Sequence, residues 1–267
     1  MFDNFWMAFG LSVFAGLATG IGGLVSVFKK TESKKFLSLA LGFSAGVMIY
    51  ISFVELFAQS LKDMTALNGK LLGTLYTNLA FFGGIALIAI IDSLVPSFEN
   101  PHEIPSENAS GETLEDAYRI LRMSIMSMIA IAIHNFPEGM ATFVASLKDV
   151  ELGTSIAVAI GIHNIPEGIA IAVPVYMATR SRVKAISFAF VAGLCEPIGA
   201  LFAFGIMRFY WNDQLLGLLF AAVAGIMVFI SLDQLLPHAE RYGHHHYSIY
   251  GLVGGMVVMA TSLLLVA

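Results

Sequence analysis

Two hexapeptides hold most of the chemical capability of this chain. His134-Asn135-Phe136-Pro137-Glu138-Gly139 and His163-Asn164-Ile165-Pro166-Glu167-Gly168 agree at five of six positions. In each copy His and Glu stand four residues apart, so a helix brings both to one face. Pro137 and Pro166 have no backbone N–H to donate, which frees the carbonyls of Ile133 and Ile162. Gly139 and Gly168 let a neighbouring helix come close. Two imidazoles, two carboxylates and two carboxamides can thus converge on one point. Imidazole with carboxylate suits zinc, iron, manganese or cobalt, whereas the lack of thiolates speaks against copper(I).

Other polar residues are weaker candidates. Glu196, in Leu194-Cys195-Glu196-Pro197-Ile198-Gly199, also precedes a proline within an apolar run and reads as a third acidic ligand. Its neighbour Cys195, the single cysteine, points to another helix face and reads as a small apolar residue. A second repeat matches Gly46–Ser52 with Gly225–Ser231 at four of seven positions. Three residues beyond it stand Glu55 and Gln234, which suit either a lined route or an interfacial anchor. Asp92 and Asp233 read as interfacial anchors. His244, His245 and His246, with His238 nearby, fit a transient metal hold or a solvated turn equally well. His102 offers at most weak metal buffering. The small pairs Gly16/Gly20 and Gly42/Gly46 read as packing positions.

Composition points to membrane helices as the carriers of these groups. Of 267 residues, 57% are hydrophobic and 12% charged, with a mean hydropathy of +0.80. A water-soluble surface needs far more charge. Apolar runs fall at 4–28, 36–60, 71–97, 119–147, 152–178, 183–208, 213–237 and 247–267, each near the length of about 20 residues that one crossing takes. The expected fold is therefore an all-α integral membrane protein of eight transmembrane helices, forming a single domain over 1–267. The start, Met-Phe-Asp-Asn, lacks the positive region of a signal peptide, so the first run is expected to remain as a span. The segment 98–118, rich in Glu and Asp with Pro101 and Pro105, reads as a mobile acidic loop. The net charge of −5 and the absence of a basic tract give no sign of a nucleic-acid partner.

Lysine and arginine set the orientation. Ten of the 14 fall on one side of the eight-span arrangement (Lys29, Lys30, Lys34, Lys35, Arg119, Arg122, Arg180, Arg182, Lys184, Arg241). This predicts a multi-pass inner-membrane protein with both termini outside the cytosol and 98–118 facing the cytosol. Both repeats then run in opposite directions across the bilayer, a pattern that places a binding site near the midplane. At 1.5 Å per residue, His134 and His163 each lie about 17–20 Å from the turn joining their spans. An unpaired charge at that depth costs at least about 2.5 kcal/mol, a cost that a divalent cation between the carboxylates offsets.

The paired hexapeptides, together with Gly-Phe-Ser-Ala-Gly-Val-Met at 42–48 and Ala-Val-Ala-Gly-Ile-Met at 222–227, resemble the ZIP (Zrt/Irt-like) metal transporters, most closely their bacterial ZupT-type branch. The similarity runs nearly end to end. It implies a 3+2+3 arrangement of the eight helices with inverted repeats, and uptake of zinc and related divalent ions into the cytosol. Iron(II), manganese, cobalt and cadmium are further cargo candidates, and no catalytic cofactor is expected. The resemblance also implies a two-metal site. One ion would use His134, Glu138, His163 and Glu167; the second would use Asn135, Asn164 and Glu196, with Glu138 and Glu167 bridging. Some members have Gln-Asp in place of His163-Asn164, and many have a His-rich segment where this chain has its acidic loop.

Metal ions and the lipid bilayer are thus the expected partners, with a homodimer left open. The main alternative is an intramembrane metal-dependent hydrolase. Zinc hydrolases usually carry His-Glu-x-x-His on an unbroken helix, and they need no mirrored second copy. A metal sensor or an efflux protein could use the same ligands, since sequence does not fix the direction of flux.

Overall fold

The structure, a computed structural model, describes residues 4–28, 33–93, 114–210, 212–241 and 244–266. Every regular element among them is a helix. These are α1 (Phe5–Phe28), α2 (Lys34–Ile51), α3 (Ala58–Ser93), α4 (Leu114–Lys148), α5 (Val150–Thr179), α6 (Arg182–Gly193), α7 (Cys195–Tyr210), α8 (Asp213–Ile230), α9 (Leu236–Arg241) and α10 (His245–Val266). Two π-helical segments, Ser52–Phe57 and Ser231–Leu235, join α2 to α3 and α8 to α9.

Polar caps start the helices where the sequence breaks its apolar runs. Asp149 Oδ1 accepts from the N–H groups of Glu151 and Leu152 at 2.8 and 3.2 Å, and Asn212 Oδ1 does the same for Gln214 and Leu215 at 2.7 and 3.3 Å. These acceptors take up N–H groups that have no partner within their own helix. Gly69, with φ 75° and ψ 164°, interrupts α3 in a conformation that side chains disfavour. The chain reverses there: Ser60 meets Thr77 at 3.5 Å, and Gly73 packs on the backbone of Met64. α3 therefore contains an antiparallel turn, which matches the gap expected between 60 and 71. The fourth run begins earlier than expected, at Leu114 rather than 119. Most of the acidic segment 98–118, including His102, lies outside the described residues.

Six stretches of the described residues are long and apolar enough to cross a membrane: Phe5–Ser26, Lys34–Ser93, Val150–Thr179, Arg182–Phe209, Asp213–Glu240 and His245–Leu264. Their outward faces are apolar too. Leu71 is 82% exposed and Phe209 76%, a cost in water that disappears in lipid. This is the architecture of a multi-pass integral membrane protein.

The helices pack in two groups. α1, α4, α5, α6 and α7 form one; α2, α3, α8, α9, α10 and the π segments form the other. The groups meet where α2 and α10 touch α5 and where α4 touches α8. Small residues set the close crossings. Gly42 and Gly46 lie against the backbones of Ser248 and Leu252, while Gly251 and Gly255 lie against Leu39 and Phe43. Contact positions rise together on both helices, so α2 and α10 are parallel. The packing role expected of Gly42 and Gly46 is what the structure shows. Gly16 likewise meets Gly193 of α6, and Gly20 the ring of Phe190.

The second repeat also has a structural counterpart. Ser52 Oγ donates to Met48 O at 2.6 Å and Ser231 Oγ to Met227 O at 2.7 Å, and each serine opens a π segment. A side chain that takes an i−4 carbonyl competes with the backbone ladder, and single-turn π widenings often accompany functional regions.

Candidate metal-binding site

The short turn at Asp149 folds α5 back along α4, so the polar faces of their hexapeptides meet in antiparallel register. His134 pairs with Glu167, His163 with Glu138, and Ser146 packs on Gly153 nearer the turn. All six motif side chains with chemistry are buried: His134, Asn135, Glu138, His163, Asn164 and Glu167 are at most 1% exposed. The two copies are bonded crosswise. His134 Nε2 lies 2.9 Å from Glu167 Oε2, and His163 Nε2 lies 3.2 Å from Glu138 Oε1. Helical spacing put His and Glu of one copy on a common face; the hydrogen bonds instead run between copies, each imidazole facing the other helix's carboxylate.

Secondary contacts orient these groups. His163 Nδ1 is 3.2 Å from Ala159 O, so its N–H is given to the backbone and Nε2 is turned toward Glu138. Metal-binding histidines usually hold their second nitrogen this way. Ser44, on α2, donates to Glu167 Oε1 at 2.9 Å, with His163 O at 3.4 Å as its alternative acceptor. Ser44 was not singled out from the sequence as a site residue, although it sits inside Gly-Phe-Ser-Ala-Gly-Val-Met. Its signal was a buried hydroxyl two residues after Gly42, on a helix that no spacing rule connects to α5. Through Ser44 the second packing group reaches the site.

Glu196 joins them by a different device. α6 ends at Gly193, Leu194 turns, and α7 starts at Cys195, with Pro197 in the first turn where a missing N–H does no harm. The sixth apolar run is therefore one span kinked at Leu194, whose own dihedrals stay helical, and Glu196 stands in the turn that follows. It is fully buried and accepts from Asn164 Nδ2, which also donates to Ala15 O at 3.0 Å. Asn135 Nδ2 donates to Ala192 O, at the end of α6, at 3.3 Å. Gly139 sets the approach, since its position faces the Glu196 carbonyl directly.

The hydrogen bonds leave a one-sided remainder. Asn135 Oδ1, Asn164 Oδ1, Glu138 Oε2, Glu196 Oε2 and His134 Nδ1 are buried without a partner. The four oxygens are acceptors, so the group they match is cationic or a donor. Among the described residues, no three His, Cys, Asp or Glu side chains already form a ready metal cage; the imidazoles and carboxylates hold one another instead.

The remaining candidates sit elsewhere. Glu55 is half-buried in the first π segment, and Gln234 is buried in the second beside half-buried Asp233. Asp92 lies half-buried in the last turn of α3. His238 Nδ1 is bonded to Gln234 O at 2.8 Å, and exposed His245 to Glu240 at 2.8 Å. Cys195, next to Glu196, is half-buried.

A model of the ZIP zinc transporter family matches residues 93–263, which include both hexapeptides, Glu196 and the second π segment. The chain belongs to the ZIP family. Within that family it falls in the ZupT branch. It is 52% identical to the zinc transporter ZupT of Chlorobaculum parvum over 266 residues, covering 99% of each chain. The same comparison gives 52% for the zinc transporter ZupT of Streptococcus mutans, again over 99% of each. For that of Corynebacterium glutamicum it gives 54%, over 97% of this chain and 98% of the relative. ZIP proteins are transporters and not enzymes, which removes the hydrolase alternative.

Proposed function

We propose that this chain takes up divalent transition-metal ions, zinc foremost, into the cytosol through the buried His/Asn/Glu cluster. Iron(II), manganese, cobalt and cadmium have ligand preferences near enough to compete. The observation that carries this reading is the crosswise pair of imidazole–carboxylate bonds surrounded by unpartnered buried oxygens. The ion inserts into those bonds. His134, Glu138, His163 and Glu167 hold it first; Asn135, Asn164 and Glu196 hold a second ion, with Glu138 and Glu167 bridging. We count eight crossings in one domain over 1–267: α1, the two arms within Lys34–Ser93, α4, α5, α6 with α7, α8 with α9, and α10. That order is 3+2+3, with α4 and α5 between the outer sets. Both termini lie outside the cytosol, and the membrane is the inner one.

The reading is tested by zinc uptake into reconstituted vesicles. The parent should accumulate zinc, and His134→Ala, which removes one imidazole from the first position, should not. Equal accumulation by both would overturn the assignment.

Two further outcomes follow from the bonds. Each imidazole–carboxylate contact needs one proton between its heavy atoms, and a bound ion replaces that proton. Zinc binding should therefore release about two protons per first ion, read with an indicator dye in weak buffer, and affinity should fall as pH falls. Zinc binding without acidification would contradict insertion into the pairs. Ser44→Ala should weaken zinc binding about 10-fold, because it leaves Glu167 without its orienting donor. Calorimetry on the purified variant checks this, and unchanged affinity would make Ser44 a packing residue only.

A further inference from the structure

Behind the polar cluster, on the other side of α4, lies a cavity of about 590 Å³. α3 and α8 of one packing group enclose it together with α4 and α7 of the other. Its lining is apolar throughout, including Leu87, Phe136, Pro137, Cys195, Phe202 and Ala222. Leu87 is 54% exposed and Phe202 52%, so the cavity opens as a groove on the outer surface. Both residues belong to stretches that can cross a membrane, which puts the opening in hydrocarbon.

Water entering the groove would find no polar partner, and apolar cavities of this kind stay dry. Left void, the lining would forfeit its van der Waals contacts over that whole volume. The linker between α3 and α4 carries Glu99, Glu103, Glu107 and Glu112, charges that an apolar wall cannot match. Hydrocarbon is at the opening and matches the wall.

We propose that this groove is a binding seat for one acyl chain of a bilayer phospholipid, held between the two packing groups. The volume lies within the ~300–1,000 Å³ of pockets that hold small apolar ligands. The headgroup remains at the membrane surface, since the seat offers it nothing. The acyl chain touches Phe136 and Pro137, which lie between Asn135 and Glu138, and Cys195, which precedes Glu196. It thus backs two of the three segments that carry buried acids, those of Glu138 and Glu196, and not that of Glu167. The seat stands independently of the transport reading, because its occupation is read without metal.

The test uses the full chain, purified in detergent until loosely held lipid is gone, and native mass spectrometry. One phospholipid should remain per protomer, and Ala222→Phe, which fills the groove from α8, should lose it. Leu219→Trp, from the same wall, serves if the first variant does not fold. A second arm places a single tryptophan in the groove mouth (Phe202→Trp) or on the 61% exposed Leu79, with Trp6 and Trp211 changed to Phe. Lipid brominated along its chain should still quench Phe202→Trp after the wash and no longer quench Leu79→Trp. Equal quenching at both positions, or no retained lipid on the parent, would overturn the seat. So would a dimer that dissociates in Ala222→Phe, because a second copy would then be the occupant.

Discussion

Glu138→Gln and Glu167→Gln should each lower zinc uptake by at least about 100-fold while the melting temperature stays level or rises. Glutamine keeps the volume of the side chain and one carbonyl oxygen, so packing around α4 and α5 survives. What disappears is the anionic half of a buried imidazole–carboxylate pair, whose attraction and desolvation nearly offset each other. Glutamine leaves the empty protein a neutral partner for the imidazole, and the loaded one loses a ligand charge. A 100-fold loss is about 2.7 kcal/mol, modest for removing one carboxylate from a divalent ion. The two variants should differ in affinity. Glu138 Oε2 has no partner, whereas both oxygens of Glu167 are engaged by His134 and Ser44. Glu138 is thus the freer ligand, and its loss should weaken binding more. Vesicle uptake and thermal unfolding of the same preparations decide the matter. Parental uptake in either variant would mean that the buried acids are structural.

The second large effect is at Gly139. A Cβ there would come within 1.9 Å of the Glu196 carbonyl oxygen and 2.5 Å of its Cα. Backbone cannot rotate aside as a side chain can, so α4 and α7 must separate. Gly199 faces the Phe136 carbonyl across the same crossing at 2.0 Å, which leaves no slack for sliding. Gly139→Ala should therefore destabilise the protein by about 3 kcal/mol, the upper end of ordinary overpacking, and carry Glu196 away from Asn164. Gly83 and Gly254 have nothing within 4 Å of a Cβ. Alanine at those helical positions should be neutral or slightly stabilising. Melting curves of the three variants in one detergent give the comparison. If Gly139→Ala melted like Gly83→Ala, the crossing would be looser than the contacts require.

Much of this was legible beforehand for a physical reason. Membrane helices satisfy their own backbone groups, so hydropathy marks them, and among the described residues the expected apolar runs fall on helices, with six stretches long and apolar enough to cross a membrane. The paired hexapeptides were legible because identical polar clusters have no reason to recur in apolar helices without a shared task. The kink at Leu194 was not, since Gly193-Leu194-Cys195 has no strong turn signal. Nor was the π character at Ser52 and Ser231, which depends on how a hydroxyl competes for one carbonyl.

Membrane class, the two hexapeptides and the reversal that lays one against the other can all be read from the residues alone. These depend on composition and on residues near in the chain, where helical spacing is a sufficient rule. Long-range packing is what makes each imidazole meet the opposite copy's carboxylate, brings Ser44 from α2 to Glu167, and lets the turn after Leu194 deliver Glu196 to Asn164. Those contacts join groups 25 to 123 residues apart. They are fixed by how closely glycines allow helices to cross, a distance that no local pattern encodes.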